Sequence, residues 1–169
     1  MMLRTERLLL RGWEPRDLDT LVELADNRAV AINLRDHFPN PYTRADGEAW
    51  LALQETVGDQ HFAIEYHGGP VGGIGIVPMR DVHRRGAEIG YWLGEPFWGR
   101  GIATEALRAV TQHVLGAGQL VRLQACVYSW NPASARVLEK AGYLLEGTLR
   151  RAVIKFDQEG DVQIWARIT

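Results

Sequence analysis

Apolar residues recur along this chain in two rhythms, and the changes of rhythm mark out its elements. Residues 7–13 (RLLLRGW) read as a first strand. Pro15 suits the opening turn of a helix, and Asp17 and Asp19 fall where the helix dipole favours acid. Leu18, Leu21, Val22 and Ala25 follow at helical spacing. Residues 32–42 (INLRDHFPNPY) keep neither rhythm and are broken by Pro39 and Pro41. Thr43 is a candidate cap for a second helix running to about Val57, with Ala49, Leu53 and Val57 on one face.

The period then drops to two. HFAIEYH (61–67), the turn Gly68-Gly69-Pro70 and VGGIGIVPM (71–79) predict a β-hairpin, and AEIGYWLG (87–94) a further strand. Five glycines fall within 68–75 without the spacing of a phosphate loop, and they read as a turn plus close strand packing. Helical spacing returns over 101–116, where Ala103, Ala106, Leu107, Val110 and Val114 share a face, and stops at Gly116-Ala117-Gly118. VRLQACVYS (121–129) is another strand, with Val121, Leu123, Ala125 and Val127 inward. NPASARVLEKAG (131–142) is a short helix with Asn131 as N-cap, Pro132 at its first position and Gly142 beyond its end. Two strands, about 143–156 and 161–168, close the chain around a turn at Asp157–Gly160. This order predicts an α/β (α+β) sandwich around a mixed, largely antiparallel sheet of about seven strands with about four helices. No internal repeat or linker interrupts it, so residues 1–169 read as one domain.

Composition narrows the function classes. Hydrophobic residues make up 46% and charged residues 24% of the chain, ordinary values for a soluble globular protein. A net charge of −2, from 19 basic and 21 acidic residues, gives no electrostatic basis for binding nucleic acid or an anionic membrane. The basic pairs Arg84-Arg85 and Arg150-Arg151 read as solvated arginines. The lone Cys126 can form no intramolecular disulfide and fits a reducing compartment. No stretch approaches the ~20 apolar residues of a membrane span, and the N-terminus lacks the features of a signal peptide. The expectation is a cytoplasmic protein. His37, His61, His67, His83 and His113 show no metal-ligand spacing, so no metal is expected.

The stretch most suggestive of chemistry is FWGRGIATEA (97–106). Gly99 and Gly101 carry no Cβ, so a ligand can approach the main chain. The first N–H groups of the following helix have no internal partner and carry partial positive charge. Arg100 adds a formal charge and Thr104 a hydroxyl, which together suit an anion such as phosphate. On the glycines alone, a tight turn without any ligand is an equally good reading.

Two flanking segments tip that balance. Glu88-Ile89-Gly90-Tyr91-Trp92-Leu93 lies upstream, and Asn131-Pro132-Ala133-Ser134 with Leu138-Glu139-Lys140-Ala141-Gly142-Tyr143 lies downstream. Together with Phe97 to Ala106, the opening Thr5-Glu6-Arg7-Leu8-Leu9-Leu10-Arg11 and the closing Val153-Ile154-Lys155, they closely resemble the GNAT superfamily of acetyl-CoA-dependent N-acyltransferases. The similarity is to its branch of ribosomal-protein N-terminal alanine and serine acetyltransferases. It covers nearly the whole chain.

The resemblance implies roles residue by residue. The family signature Q/R-x-x-G-x-G/A maps onto Trp98 to Ala103, with Gly101 and Ala103 matching and Trp98 standing at the first position. Backbone N–H groups from Gly99 through Arg100, Gly101, Ile102 and Ala103 to Thr104 would hold the pyrophosphate of acetyl-CoA, the acetyl donor. Main-chain groups of Tyr91, Trp92 and Leu93 would pair with its pantetheine arm and aim an N–H at the thioester oxygen. The strand after the helix would splay away to leave the cofactor slot. Asn131 matches a cofactor-contacting asparagine and is an N-cap on either reading. Asn33, Arg35, Asp36 and Phe38 map to the region where the family builds its acceptor pocket.

The reaction requires a neutral amine, a stabilised oxyanion and a departing thiolate. A protein α-amine, with a pKa of about 8, is roughly a tenth neutral at pH 7, whereas a lysine near ~10.4 is far less so. A modest base suffices. Glu88 is the candidate; strand alternation sets it on the face of Gly90 and Trp92, opposite Ile89 and Tyr91. An ordinary half-exposed strand carboxylate is the alternative. Many relatives carry a tyrosine acid where this chain has Leu138, which leaves Ser134 or solvent to meet the thiolate. Cys126 reads as a structural thiol, since only His113 is near in sequence.

The expected function is therefore acetyl transfer from acetyl-CoA to a primary amine, a protein N-terminus or a small molecule, by direct attack in a ternary complex. The missing tyrosine keeps a catalytically quiet acyl-CoA-binding sensor or scaffold as the alternative. A Rossmann-like nucleotide domain fits poorly, because no acid closes the next strand. Monomer and homodimer are both compatible.

Overall fold

In the computed structural model, which describes residues 2–57 and 60–169, the alternating segments join one eight-stranded sheet. Its strands are β1 (Leu3–Arg4), β2 (Leu8–Arg11), β3 (His61–Tyr66), β4 (Gly69–Pro78), β5 (Gly86–Leu93), β6 (Arg122–Tyr128), β7 (Leu144–Lys155) and β8 (Gln158–Ile168). The spatial order is β1-β2-β3-β4-β5-β6-β8-β7. Every neighbouring pair is antiparallel except β5 with β6. The α-helices are α1 (Leu18–Ala25), α2 (Arg28–Ala31), α3 (Arg44–Val57), α4 (Ile102–Gly116) and α5 (Pro132–Lys140).

The expected mixed, largely antiparallel α/β architecture is present, with two additions. The two-residue β1 and the four-residue α2 are too short to show any periodicity. The β7–β8 turn lies at Phe156-Asp157 instead of Asp157–Gly160, because both residues adopt left-handed φ values (49° and 63°) and reverse the chain at once.

One sheet face packs against α4 and α5 through Ile89, Ile102, Ala106, Leu107, Val110 and Leu138. The other carries α1 and α3 around Leu21, Ala25 and Tyr42. The inward face of α3 differs from the expected one. Ala49 and Leu53 are exposed, while Gly47 is buried and Trp50 and Leu51 pack on the cluster. Gly47 sets this rotation: a Cβ there would lie 2.8 Å from Leu18 Cδ1 and 2.9 Å from Val22 Cγ2, so the bare backbone is what lets α3 sit on α1.

The parallel β5–β6 pairing is short. It runs through Gly86↔Arg122, Ala87↔Leu123 and Glu88↔Gln124 and then ends. Beyond Glu88 the two strands part, as the family resemblance implies, and the edge of β5 from Ile89 to Leu93 is left without a strand partner on that side.

At the entry to α1, a buried ion network ties β2 to the helix. Arg11 Nη1 and Nη2 donate to Asp17 Oδ2 and Oδ1 at 2.7 and 2.9 Å, and Arg11 Nε donates to Glu65 Oε2 at 2.6 Å. Both Arg11 (4% exposed) and Asp17 (2%) are buried. The hydrogen bond to Asp17 raises the Arg11 pKa above its usual value, more than offsetting desolvation. Replacing Arg11 with Met strands the Asp17 carboxylate, so Arg11→Met is expected to cost about 3–5 kcal/mol. Urea unfolding measures this; a loss below ~1 kcal/mol would contradict a structural role for the pair.

Candidate active site

The loop before α4 is built for close approach. Gly99 and Gly101 have φ of 73° and 77°, the left-handed region that side chains resist. The first intrahelical bond runs from Glu105 N–H to Gly101 O, so the N–H groups of Ile102, Ala103 and Thr104 precede the helical ladder. Arg100 is exposed, with its guanidinium 5.7 Å from the centre of the Phe97 ring. The Trp98 indole N–H donates to Leu93 O at 2.8 Å and pins this loop to the end of β5.

A remote segment braces the same loop. Glu105, in the first turn of α4, accepts hydrogen bonds from Thr5 Oγ1 (2.6 Å), Arg7 N–H (2.9 Å) and Arg7 Nε (2.7 Å). Arg7 Nη1 also donates to Arg100 O at 3.0 Å. Burial pushes the Glu105 pKa up, but the donors from Thr5 and Arg7 outweigh it, and the net shift is downward.

Across the parted strands, Asn131 caps α5 by accepting from Ser134 N–H at 3.2 Å. The Ser134 hydroxyl lies 2.8 Å from the Tyr91 hydroxyl, which also donates to Ser134 O at 3.3 Å. Burial raises the Tyr91 pKa well above the usual phenol value, despite an opposing hydrogen bond from Ser134. Leu138, where relatives carry a tyrosine, is fully buried in the core.

Two cavities open into the fork. The smaller, of about 330 Å³, is lined by Leu93, Trp98 to Thr104 and Asn131, together with Arg136 and Lys140. The larger, of about 630 Å³, contains Glu88, Arg35, Phe38 and Cys126. They meet at Asn33, Leu34, Tyr91, Trp92 and Ser134. Glu88 Oε1 is paired with Arg35 Nη2. Among the described residues, Glu88 Oε2 takes no donor.

Of the four loop residues singled out from the sequence, Asn33, Arg35 and Phe38 line the larger cavity. Asp36 does not: it is exposed and accepts from Lys155 Nζ at 2.9 Å, which ties the loop to β7. The Trp130 indole reinforces that tie by donating to Ile32 O at 3.2 Å. Burial chiefly, with the Glu88 charge adding, pushes the Cys126 thiol up, and among the described residues no base accepts from it, consistent with a structural thiol.

Sequence reasoning passed over three groups here. Arg136 and Lys140 stand one helical turn apart on α5, a basic pair facing the start of α4 that spacing alone could have flagged. The Thr5–Arg7–Glu105 brace joins residues about 100 positions apart and has no local signature. The aromatic wall of the larger cavity draws on several separate segments. Among the described residues no cluster of three or more His, Cys, Asp or Glu could hold a metal.

Comparison with known proteins identifies the family and the fold. The model of the acetyltransferase (GNAT) domain matches residues 7–144. The ribosomal-protein-serine acetyltransferase of Escherichia coli K12 is 37% identical over 97 residues, spanning 56% of this chain and 54%, about half, of that protein. RimJ of Mycobacterium smegmatis, solved in complex with CoA-disulfide, superposes with a TM-score of 0.80 at 28% identity, covering 96% of this chain and 82% of that one. An acetyltransferase of the GNAT family from Bacillus anthracis superposes with a TM-score of 0.86 at 24% identity, over 99% and 98% of the two chains.

The lowered Glu105 pKa carries a pH signature. Its contribution to stability is fully present above the unfolded carboxylate pKa, near ~4.3, and is lost as pH falls through the lower folded value. Glu105→Gln is expected to lose about 1 kcal/mol at neutral pH, solvent screening of the partly exposed pair having been allowed for. The gap to wild type should close in acid. Thermal unfolding at several pH values measures it, and a gap independent of pH would show that charge is not what the brace uses.

Proposed function

The chain belongs to the GNAT acetyltransferase family, and from that premise we propose that it transfers the acetyl group of acetyl-CoA to a primary amine by direct attack in a ternary complex. One observation carries this reading above the rest: the two cavities meet at Tyr91, Trp92 and Ser134, with Glu88 on the wall of the larger one.

The donor side suits coenzyme A. The free N–H groups at the start of α4, the two left-handed glycines and the cations Arg100, Arg136 and Lys140 match a pyrophosphate. The unpaired edge of β5 offers main-chain donors and acceptors to the amides of pantetheine. On this reading the thioester lies near Tyr91 and Ser134, with a β5 N–H toward its oxygen.

The acceptor enters from the larger cavity, its candidates being a protein N-terminal α-amine or a small-molecule amine. Glu88 Oε2 takes a proton from the amine, directly or through water, and the nitrogen attacks the thioester carbon. The tetrahedral intermediate collapses, the C–S bond breaks, and the thiolate accepts a proton. Ser134, held 2.8 Å from the Tyr91 hydroxyl, relays it, giving its proton to the thiolate as it takes the remaining excess proton of the attacking nitrogen. An amine arriving as an ammonium ion thus releases one net proton per turnover.

Incubating the protein with acetyl-CoA and a panel of N-terminal peptides and small amines, with thiol release as the readout, tests the reading. Steady release with at least one amine is expected; tight acetyl-CoA binding with no turnover across the panel would favour the quiet sensor that the buried Leu138 leaves open. Gly101→Trp fills the approach to the α4 N-terminus at a residue with φ of 77°, and acetyl-CoA binding by calorimetry should be lost. Glu88→Gln should lower kcat by about 10²-fold with acetyl-CoA affinity unchanged. An unaltered kcat removes Glu88 as the base.

A further inference from the structure

The larger cavity has walls that acetyl transfer itself does not require. They include five aromatic side chains from separate segments: Trp13 after β2, Phe38 and Tyr42 in the α2–α3 loop, Trp50 on α3, and Trp92 on β5. Phe38 sits 5.1 Å from Tyr42 and 5.4 Å from Trp92, the latter edge-on at 64°, and Trp50 lies 4.9 Å from the His61 ring. Rings in edge and tilted contact make walls that receive another flat ring in the same geometries.

The floor is equally particular. Gly73 and Gly75 on β4 and Gly90 on β5 line the cavity, and Gly75 pairs directly with Gly90. A Cβ at Gly75 would lie 2.3 Å from His61 Cδ2, and one at Gly73 3.0 Å from Trp92 Nε1 and 3.1 Å from Trp13 Cζ2. A Cβ at Gly90 would meet nothing within 4 Å, so the space between Glu88 and Trp92 is open. The bare strands let the rings descend onto the sheet and keep a void among them. This gives a further use to Gly73 and Gly75, two of the five glycines within 68–75.

Charge narrows the occupant further. The carboxylates on the cavity wall are Glu88, paired with Arg35, and Asp46, which accepts from the N–H and hydroxyl of Thr43. A polyamine needs several unengaged carboxylates in a row, and these two are not that. The side chain of an N-terminal Ala or Ser brings no ring to these walls. We propose that the acceptor is a primary amine carrying a planar aromatic group, its nitrogen at Glu88 and its ring against the wall that Phe38, Trp50 and Trp92 contribute. This rests on the reading of Glu88 as the residue that receives the amine.

The test compares phenylalaninamide and tryptophanamide with alaninamide and spermidine as acceptors for the full chain, by thiol release. The aromatic amides are expected to exceed the other two by about 10-fold or more in kcat/KM. Trp50→Ala should collapse that ratio and Trp50→Phe should keep most of it, with acetyl-CoA affinity unchanged in both. Phe38→Ala provides a second variant should Trp50→Ala fail to fold. Alaninamide or spermidine turned over as well as the aromatic amides, or a ratio that survives truncation of the wall, overturns the inference while leaving acetyl transfer intact. If no amine at all is turned over, the transfer reading fails, and calorimetry on the acetyl-CoA-loaded protein judges the slot alone. Tighter binding of tryptophanamide than of alaninamide then supports the slot, and equal binding overturns it.

Discussion

The separation of β5 from β6 after Glu88 is the constraint on which the rest of the site depends. Two parallel strands that pair for three residues and then part leave main-chain N–H and C=O groups without partners in the middle of a sheet. Such groups are costly to bury unsatisfied. The fold resolves the problem by keeping the fork open: α5 and Tyr91 occupy one side of it, and cavities occupy the remainder. A ligand with amides of its own would complete what the sheet left undone. The same fork sets Glu88 at its apex, the last residue of β5 paired with β6.

The donor and acceptor sides solve their recognition problems with different physics. On the proposed donor side the means are backbone N–H groups, left-handed glycines and dispersed cations, which suit charge and an extended amide chain. On the proposed acceptor side they are rings and an emptied floor, which suit a shape. The two sides are braced independently. Thr5, Arg7 and Glu105 hold the α4 loop, whereas Asp36–Lys155 and Trp130–Ile32 hold the loop before α3. The acceptor wall is therefore free to differ without disturbing the grip on the donor.

That division also explains what could be read from the residues in order. Gly99, Gly101, Asn131 and Gly142 obey local rules, positive φ or helix capping, that a few neighbouring residues determine. The fork came with the family resemblance, whereas the spatial order of the strands was not legible in the residues. The α3 face was misread because periodicity identifies which residues are apolar and says nothing of whether they meet core or void: Ala49 and Leu53 line the large cavity, while Gly47 makes the contact with α1. Asp36 lies in the expected loop, yet its partner is Lys155, 119 residues away. Phe38 and Trp92 likewise come together only in the folded chain.

The aromatic wall has a consequence for rate as well as selection. A ring held by Phe38, Trp50 and Trp92 sits away from the reacting nitrogen, so its binding energy is available in ground and transition state alike, and taken alone lowers KM without raising kcat. It aids the chemical step only if it fixes the nitrogen at a productive angle and distance. The Arg35–Glu88 pair makes that plausible in physical terms. Arg35 occupies Oε1 and leaves Oε2 as the carboxylate oxygen open to an amine, so the approach to Glu88 is restricted to one side. A ring anchored in the slot and a nitrogen held at Oε2 are two fixed points on one small molecule. Two such points constrain its orientation far more than either does singly, and the freedom lost on binding is freedom that need not be lost at the thioester.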